Sequence, residues 1–267
     1  MIDVEKIIHS KSNIRVPKFL IELLKKTIHQ SEINSLIEKN KGKNGTEFMS
    51  AILNDFNIEI EVLGIENIPK KERLIFTSNH SLGALEAMAL GTTLSNIFEG
   101  KINFVTNDLL TFIEPLKPIF TSVAVGANQQ NKTLAENLEK TFMSDNQIIM
   151  FPSGVVSRRI KGKIQDPEWK KMFVQKARRF KRNIIPVFCS GNNSNFFLNL
   201  SNFRKFLGIK TNIELLFLPN EMFKKRNTKI AIAIGDPISY KTFTNTKSDW
   251  EWAREVREKV YQLKKIL

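Results

Sequence analysis

The stretch LIFTSNHSLGALEAMALGTTLSNIF, residues 74–98, decides the fold. Leu74 to Ser78 is a short apolar, β-rich run, and from Leu82 to Phe98 apolar residues recur at helical spacing. A strand turning into a helix is the unit of an α/β sheet, and the alternation continues to either side. Strands are predicted over 58–68, 102–108, 119–125, 148–154, 183–191, 213–219 and 229–238, those over 148–154 and 183–191 running into loops. Helices are predicted over 47–56, 133–144, 167–180 and from Ser248 to the last residue. That last helix starts at a Ser/Asp cap and is expected to bury Trp252, Val256, Val260, Leu263 and Leu267. The expected class is α/β: a mixed, mostly parallel central sheet flanked by helices, with room for some antiparallel neighbours and with an N-terminal helical preface.

The preface is assigned to residues 1–45 and a single α/β domain, including the C-terminal helix, to 46–267. From Pro17 to Lys39 the apolar residues Phe19, Leu20, Leu23, Leu24, Ile28, Ile33 and Leu36 recur at helical spacing, with Lys18, Lys25 and Lys26 among them. KNKGKNG (39–45) then reads as a basic loop. Two readings of this helix weigh about evenly: an interfacial helix lying on anionic lipid, or a helix packed on the body.

The chain has 267 residues, 42% of them hydrophobic and 25% charged, enough for a sizeable core. Forty-one Lys and Arg against 27 Asp and Glu give a formal charge of +14. Such an excess points to nucleic acid, an anionic membrane surface or an acidic carrier protein. Nucleic acid ranks last, because the 20 Phe lie largely in apolar runs with only 2 Tyr and 3 Trp, and no binding motif is present. A single cysteine, Cys189, excludes an intramolecular disulfide and a Cys-based zinc site, and makes a reducing cytoplasmic address the default. Three histidines, His9, His29 and His80, are too few for a His-rich metal centre, so no metal is expected. No run approaches the ~18–20 apolar residues of a membrane-spanning helix. The N-terminus lacks a basic-then-apolar signal pattern, so export is not expected.

Four segments carry candidate chemistry. In the first, Asn79 and His80 follow the β-run at a strand-to-helix turn, Gly83 permits close backbone approach, and Glu86 interrupts an otherwise apolar helix. A carboxylate there can fix one imidazole nitrogen and leave the other as a general base. The plainer reading is a helix-capping histidine and a solvated glutamate. The second is FPSGVVSRRIKGK (151–163), where a buried strand empties into a Pro-Gly turn. Ser153, Gly154, Ser157, Arg158 and Arg159, with Lys161 and Lys163 beyond, suit an oxyanion or phosphate site, or else form a solvated basic loop. In the third, VTND (105–108), Asn107 and Asp108 stand ready to contact a polar substrate, or Asp108 caps a helix. In the fourth, NIIPVFCSGNNSNFF (183–197), a polar loop containing Asn192, Asn193 and Ser194 follows a strand. Cys189, with no histidine nearby in sequence, reads as a core residue.

In this order the segments resemble the four blocks of the glycerolipid acyltransferase superfamily, the lysophosphatidic acid acyltransferase-like enzymes. The first block there is Asn-His, four spacers and Asp; here it is Asn79-His80, five spacers (Ser81 to Leu85) and Glu86. The longer spacer and the filling LGAL look like the branch labelled putative hemolysin, which includes O-acyltransferases of bacterial ornithine and glycine aminolipids. FPSGVVSRR and the Ile185-Pro186-Val187 strand are similar to that branch's third and fourth blocks, and NIELLFLPNEMF and IAIGDPI also resemble it. The resemblance covers roughly residues 45–240.

Two departures weigh against a glycerol-phosphate acceptor. The Glu and Thr-Arg of the superfamily's third block are replaced by Ser153, Val155 and Val156, with arginines arriving only at Arg158 and Arg159. The second block's arginine has no counterpart at Asn107 and Asp108. The resemblance implies acyl transfer from an acyl carrier protein or coenzyme A thioester to the hydroxyl of a mono-acylated lipid, with His80 as base, Glu86 holding its ring and Gly154 in the oxyanion turn. Asn79, Asn107, Asp108, Ser153, Gly154, Ser157, Arg158 and Arg159 are the expected substrate contacts. No metal or redox cofactor is implied. The expected place of work is the inner face of the cytoplasmic membrane. The alternatives are a 1-acylglycerol-3-phosphate acyltransferase and a non-catalytic basic lipid-binding protein.

Overall fold

The computed structural model describes residues 1–6, 17–107, 113–123, 132–209 and 211–267. Its centre is a seven-stranded sheet in the order β1-β9-β8-β2-β5-β3-β4. The strands are β1 (Glu59–Leu63), β2 (Leu74–Ser78), β3 (Ile102–Asn107), β4 (Phe120–Val123), β5 (Gln147–Met150), β8 (Asn183–Cys189) and β9 (Lys229–Ile234). All neighbours run parallel except β8 and β9, where Val187 opposes Ile234, so the sheet is mixed and mostly parallel. Every residue of β2 is buried, as befits a parallel strand covered on both faces.

The two-residue side-chain period divides the core. Leu74 and Phe76 face one layer with Ile149, Ile185 and Val187, covered by α3 (Gly45–Asp55) and α4 (Leu85–Ile97). Ile75 faces the other layer with Ile148 and Ile184, covered by α6 (Met172–Phe180) and α9 (Asp249–Gln262), with Phe142 of α5 (Lys132–Met143). Helix α4 sits close on the sheet because residue 91 is glycine: a Cβ there would lie 2.7 Å from the Phe104 ring. Helix α9 opens on a capping box between Ser248 and Glu251.

The segment 17–39 holds two helices where one was expected, α1 (Lys18–Thr27) and α2 (Gln30–Lys39). His29, at φ +55°, breaks them, and its ring lies against Phe223 with centroids 5.0 Å apart. Ile21 is buried, while Phe19 and Leu23 are exposed.

Four other expectations are corrected. The strand predicted over 58–68 stops at Leu63, because Gly64 takes φ +78° and a Cβ there would meet the Ile234 carbonyl at 2.1 Å. Residues 213–219 are not a strand but a 3-10 turn, Ile213–Phe217, leading into α8 (Leu218–Phe223). Pro219 stands in the first turn of α8, where its missing N–H costs nothing, and the turn carries Glu214 inward to two arginines. The 157–163 segment is not a solvated loop but one arm and the turn of an antiparallel hairpin, β6 (Arg158–Ile160) with β7 (Lys163–Gln165). Its turn residues Lys161 and Gly162 both have positive φ, as a two-residue hairpin turn requires. Leu267 is exposed, because α9 ends at Gln262 and a 3-10 turn follows. A helix that the sequence reading did not predict, α7 (Asn195–Phe206), follows the polar loop of Asn192 and Asn193 and starts at the Ser194 cap.

Candidate active site

Strands β3, β5, β2 and β8 run parallel, so their C-terminal ends share one edge of the sheet. The four sequence blocks are the loops that leave those ends, which is why residues far apart in the chain meet there. Asp108 and residues 124–125 lie outside the described residues, and Asn107 is the last residue of β3.

His80 and Glu86 form the centre. His80 Nδ1 and Glu86 Oε1 are 2.8 Å apart. The same oxygen accepts the N–H groups of Leu82 at 3.0 Å and Gly83 at 2.8 Å. Gly83 sits at φ +105°, which folds this turn around the carboxylate. Glu86 is fully buried, so it is neither solvated nor a passive side chain of α4. Burial alone would raise its pKa, but the neighbouring His80 charge and hydrogen bond, with the Gly83 N–H, outweigh it and hold the carboxyl below its ordinary value. With Nδ1 occupied, Nε2 of the part-exposed ring makes no hydrogen bond among the described residues. Phe151 stacks on the imidazole, centroids 4.4 Å apart at 26°, and fixes its plane.

A second buried carboxylate, Asp166, lies behind His80. It accepts the His80 N–H at 3.2 Å from each oxygen, the Ser157 hydroxyl at 2.6 Å and the Trp169 indole N–H at 3.0 Å. Burial pushes its pKa up despite these donors. The Ser157 N–H returns to the His80 carbonyl at 2.6 Å, so both polar groups of the His80 backbone are held by the hairpin segment. Tyr261 and Arg257 of α9 hold Asp166 from below: its N–H donates to the Tyr261 oxygen at 2.7 Å and its carbonyl accepts from Arg257 at 2.9 Å. Sequence reasoning missed Asp166. Its signal was the turn-forming Asp-Pro pair two residues before a buried tryptophan, which looked like a helix start.

The remaining expected residues turn out to be largely occupied. Asn79 bridges β2 to β8, donating to the Cys189 carbonyl at 2.9 Å and accepting the Cys189 N–H at 2.7 Å. The Ser153 hydroxyl donates to the Val155 carbonyl at 2.7 Å. The Gly154 N–H, expected to face an oxyanion, donates to the Phe151 carbonyl at 2.9 Å. Among the described residues the next two amides of this turn, Val155 and Val156, carry no hydrogen bond. Arg158, expected to meet an anionic ligand, is 2% exposed and bonded at 2.9 Å to Glu214, which also holds Arg204 at 2.8 Å. Arg159 binds Asn195 at 2.6 Å and Asn199 at 2.9 Å, fastening the hairpin to α7. Cys189 is buried and its thiol pushed up to about 12, so it is a core residue. Among the described residues no group of His, Cys, Asp and Glu converges to hold a metal ion, and no helix is long and apolar enough to cross a membrane.

Comparison with known proteins shows the family of the chain. A family model described as "Acyltransferase" matches residues 6–267. The lyso-glycine lipid O-acyltransferase of Bacteroides thetaiotaomicron is 41% identical over 266 residues, covering 98% of this chain and 97% of the relative. That of Phocaeicola vulgatus is 39% identical over 266 residues, covering 98% and 95%. The crystal structure of the 1-acyl-sn-glycerophosphate (LPA) acyltransferase PlsC from Thermotoga maritima overlays with a TM-score of 0.49 at 18% identity, covering 91% of this chain and 95% of that one. So loose an overlay carries no functional weight. The full-length match and the two relatives make this chain an acyltransferase, a member of the glycerolipid acyltransferase superfamily.

Proposed function

We propose that the enzyme moves a fatty acyl group from an acyl carrier protein or coenzyme A thioester to the hydroxyl of a mono-acylated aminolipid of the lyso-glycine type. The observation that carries this reading is the His80–Glu86 contact, which leaves Nε2 free. His80 Nε2 takes the acceptor's hydroxyl proton as its oxygen attacks the thioester carbonyl. Glu86 stabilises the imidazolium. The tetrahedral intermediate collapses with a new C–O bond, the C–S bond breaks, and the proton passes from His80 to the leaving thiolate. The thioester is already activated, so no acyl-enzyme is needed, and such general-base help contributes about 10²–10⁴-fold. The Val155 and Val156 amides are the donors available for the oxyanion in place of Gly154.

The acceptor class is supported by the names of both relatives. Lysophosphatidic acid suits the site less well: Arg158 is committed to Glu214 and Arg159 to α7, which leaves neither arginine open to a phosphate. The lipid acceptor and the charge of +14 support work at an anionic membrane surface, which we place at the inner face of the cytoplasmic membrane. The test is a purified-protein assay with one acyl donor offered a lyso-glycine lipid and, separately, lysophosphatidic acid. Product from the aminolipid, lost in a folded His80→Ala protein, is expected. Unchanged transfer by that variant, or product from lysophosphatidic acid alone, overturns the reading.

A further inference from the structure

Helix α7 has two unlike faces. Phe197, Leu198, Ser201 and Arg204 face inward and are buried, whereas Phe196, Phe203 and Phe206 with the following Leu207 face outward. Phe206 is 85% exposed and Phe203 58%. Exposed apolar side chains gathered on one helix face mark an interaction site. The turn Ile213–Phe217 packs against α7, α8 and α1 together, and α1 shows Phe19, 71% exposed, and Leu23. Two apolar ridges therefore rise around one turn.

The charges of this region identify the partner. Between residues 190 and 227 the sequence contains only two carboxylates, Glu214 and Glu221, and both are buried. Lys205, Lys224 and Arg226 are exposed. An α7 ridge edged with cations and showing no acid is complementary to an anionic lipid surface, and on α1 the exposed Glu22 is paired at 2.8 Å with Lys25, beside Lys18 and Lys26.

The ridge is also fixed to the catalytic turn. Val156 packs on Phe197 and Leu198, Arg159 holds Asn195 and Asn199, and the Arg158–Glu214–Arg204 cluster joins hairpin to helix. Leu218 lies beside Gly83: a Cβ on that glycine would be 3.5 Å from it. We propose that the outward face of α7, together with the exposed face of α1, inserts into an anionic bilayer and sets the His80 turn at the lipid surface. This rests on the reading that the acceptor is a membrane lipid.

The test is flotation of the full chain with phosphatidylglycerol-containing vesicles and with neutral phosphatidylcholine vesicles, for wild type, Lys205→Glu and the double variant Phe203→Ser/Phe206→Ser. Circular dichroism and unchanged acyl transfer to a monodisperse short-chain acceptor show that the variants are folded. The double variant is expected to partition about 10²-fold more weakly, roughly tenfold per phenylalanine, and to lose transfer to a vesicle-borne acceptor. Lys205→Glu is expected to lose affinity for the anionic vesicles only. Undiminished flotation of the double variant, or a wild-type dimer in size-exclusion chromatography that the variant abolishes, overturns the proposal; the second result would mean that another copy of the chain covers the ridge. Capture of acyl carrier protein that the double variant loses, with vesicle binding intact, also overturns it. Flotation needs no turnover, so failure of the acceptor assignment is read separately from failure of the ridge.

Discussion

The backbone N–H of His80 points at the carboxylate of Asp166, 3.2 Å from each oxygen, while the Ser157 N–H returns to the His80 carbonyl at 2.6 Å. The imidazole is therefore positioned twice: by Glu86 through its ring and by the hairpin through its peptide. The second restraint is carried by residues 77 to 86 positions further along the chain. It makes the base's position depend on the packing of α9, since Tyr261 and Arg257 hold Asp166 in turn.

Asp166→Asn is expected to leave an amide N–H₂ facing at least one of the three donors that now meet the carboxylate. An unsatisfied buried donor costs about 1–3 kcal/mol, so the unfolding midpoint falls, yet the fold survives. Asp166 touches no substrate atom in this arrangement, so kcat falls about tenfold while KM for the acceptor stays within about twofold, as expected for a displaced base. Asp166→Glu, with one methylene too many beneath His80, is not expected to rescue. Steady-state kinetics with a folded-state check decide. A rise in KM with unchanged kcat would assign Asp166 to binding instead.

Glu86→Gln keeps an acceptor for Leu82 and Gly83 but removes the charge beside the imidazole. A kcat loss of about 10²-fold or more is expected, within the range of general acid–base contributions. Stability should respond to pH as well. The folded Glu86 carboxyl titrates below its ordinary value of 4.5, so the stability it adds is full above that value and is lost as pH falls through the lower folded pKa. Denaturant midpoints measured from pH 7 down to 3 should fall less steeply for Glu86→Gln than for wild type. Equal slopes would mean that the carboxylate is not held ionised by the fold.

The strand-to-helix unit at 74–98 was legible because its signals agree: β-rich residues, a glycine turn and then a helical period. The His80–Glu86 pair was legible for the same reason, since both residues lie within one local unit. The hairpin was not. Arg158 and Arg159 look like a solvated basic run until Glu214 and α7 are in place, and those lie 36 to 56 residues away. Asp166 was hidden likewise, because its value lies in a peptide N–H that no side-chain pattern reports. IELLFLP is apolar enough for a short buried strand, but its glutamate is wanted by two buried arginines, and that demand decided its shape.

That demand can be measured. Glu214 sits between Arg158 and Arg204, all three buried. Glu214→Gln leaves two buried guanidinium groups without their counter-charge, and breaking a buried pair in this way typically costs about 3–5 kcal/mol. The expected result is a marked loss of soluble, folded protein, with α7 the first element to lose protection in hydrogen exchange. Lys161→Ala and Lys163→Ala, at exposed positions of the same hairpin, should shift stability by less than about 0.5 kcal/mol. Comparable effects at Glu214 and Lys161 would remove the buried cluster from any account of how the hairpin is held.

Cys189 offers a test of whether the acyl group ever rests on the protein. Its thiol is fully buried at the end of β8, accepts the Ser78 hydroxyl at 3.4 Å and is pushed up to about 12 by burial. The reactive thiolate is therefore scarce throughout the working pH range, and rises only as pH approaches that value. The native enzyme should resist iodoacetamide at pH 8 and react once unfolded, with mass spectrometry counting the adducts. Cys189→Ala removes the weak acceptor of the Ser78 hydroxyl, which keeps the Asn79 carbonyl at 3.0 Å, so acyl transfer should stay within about twofold. A radiolabelled acyl donor should leave no label on denatured, trapped protein. Label that survives denaturation in wild type and vanishes in Cys189→Ala would replace direct transfer by a two-step route, and would move the duty of His80 from the acceptor hydroxyl to the thiol.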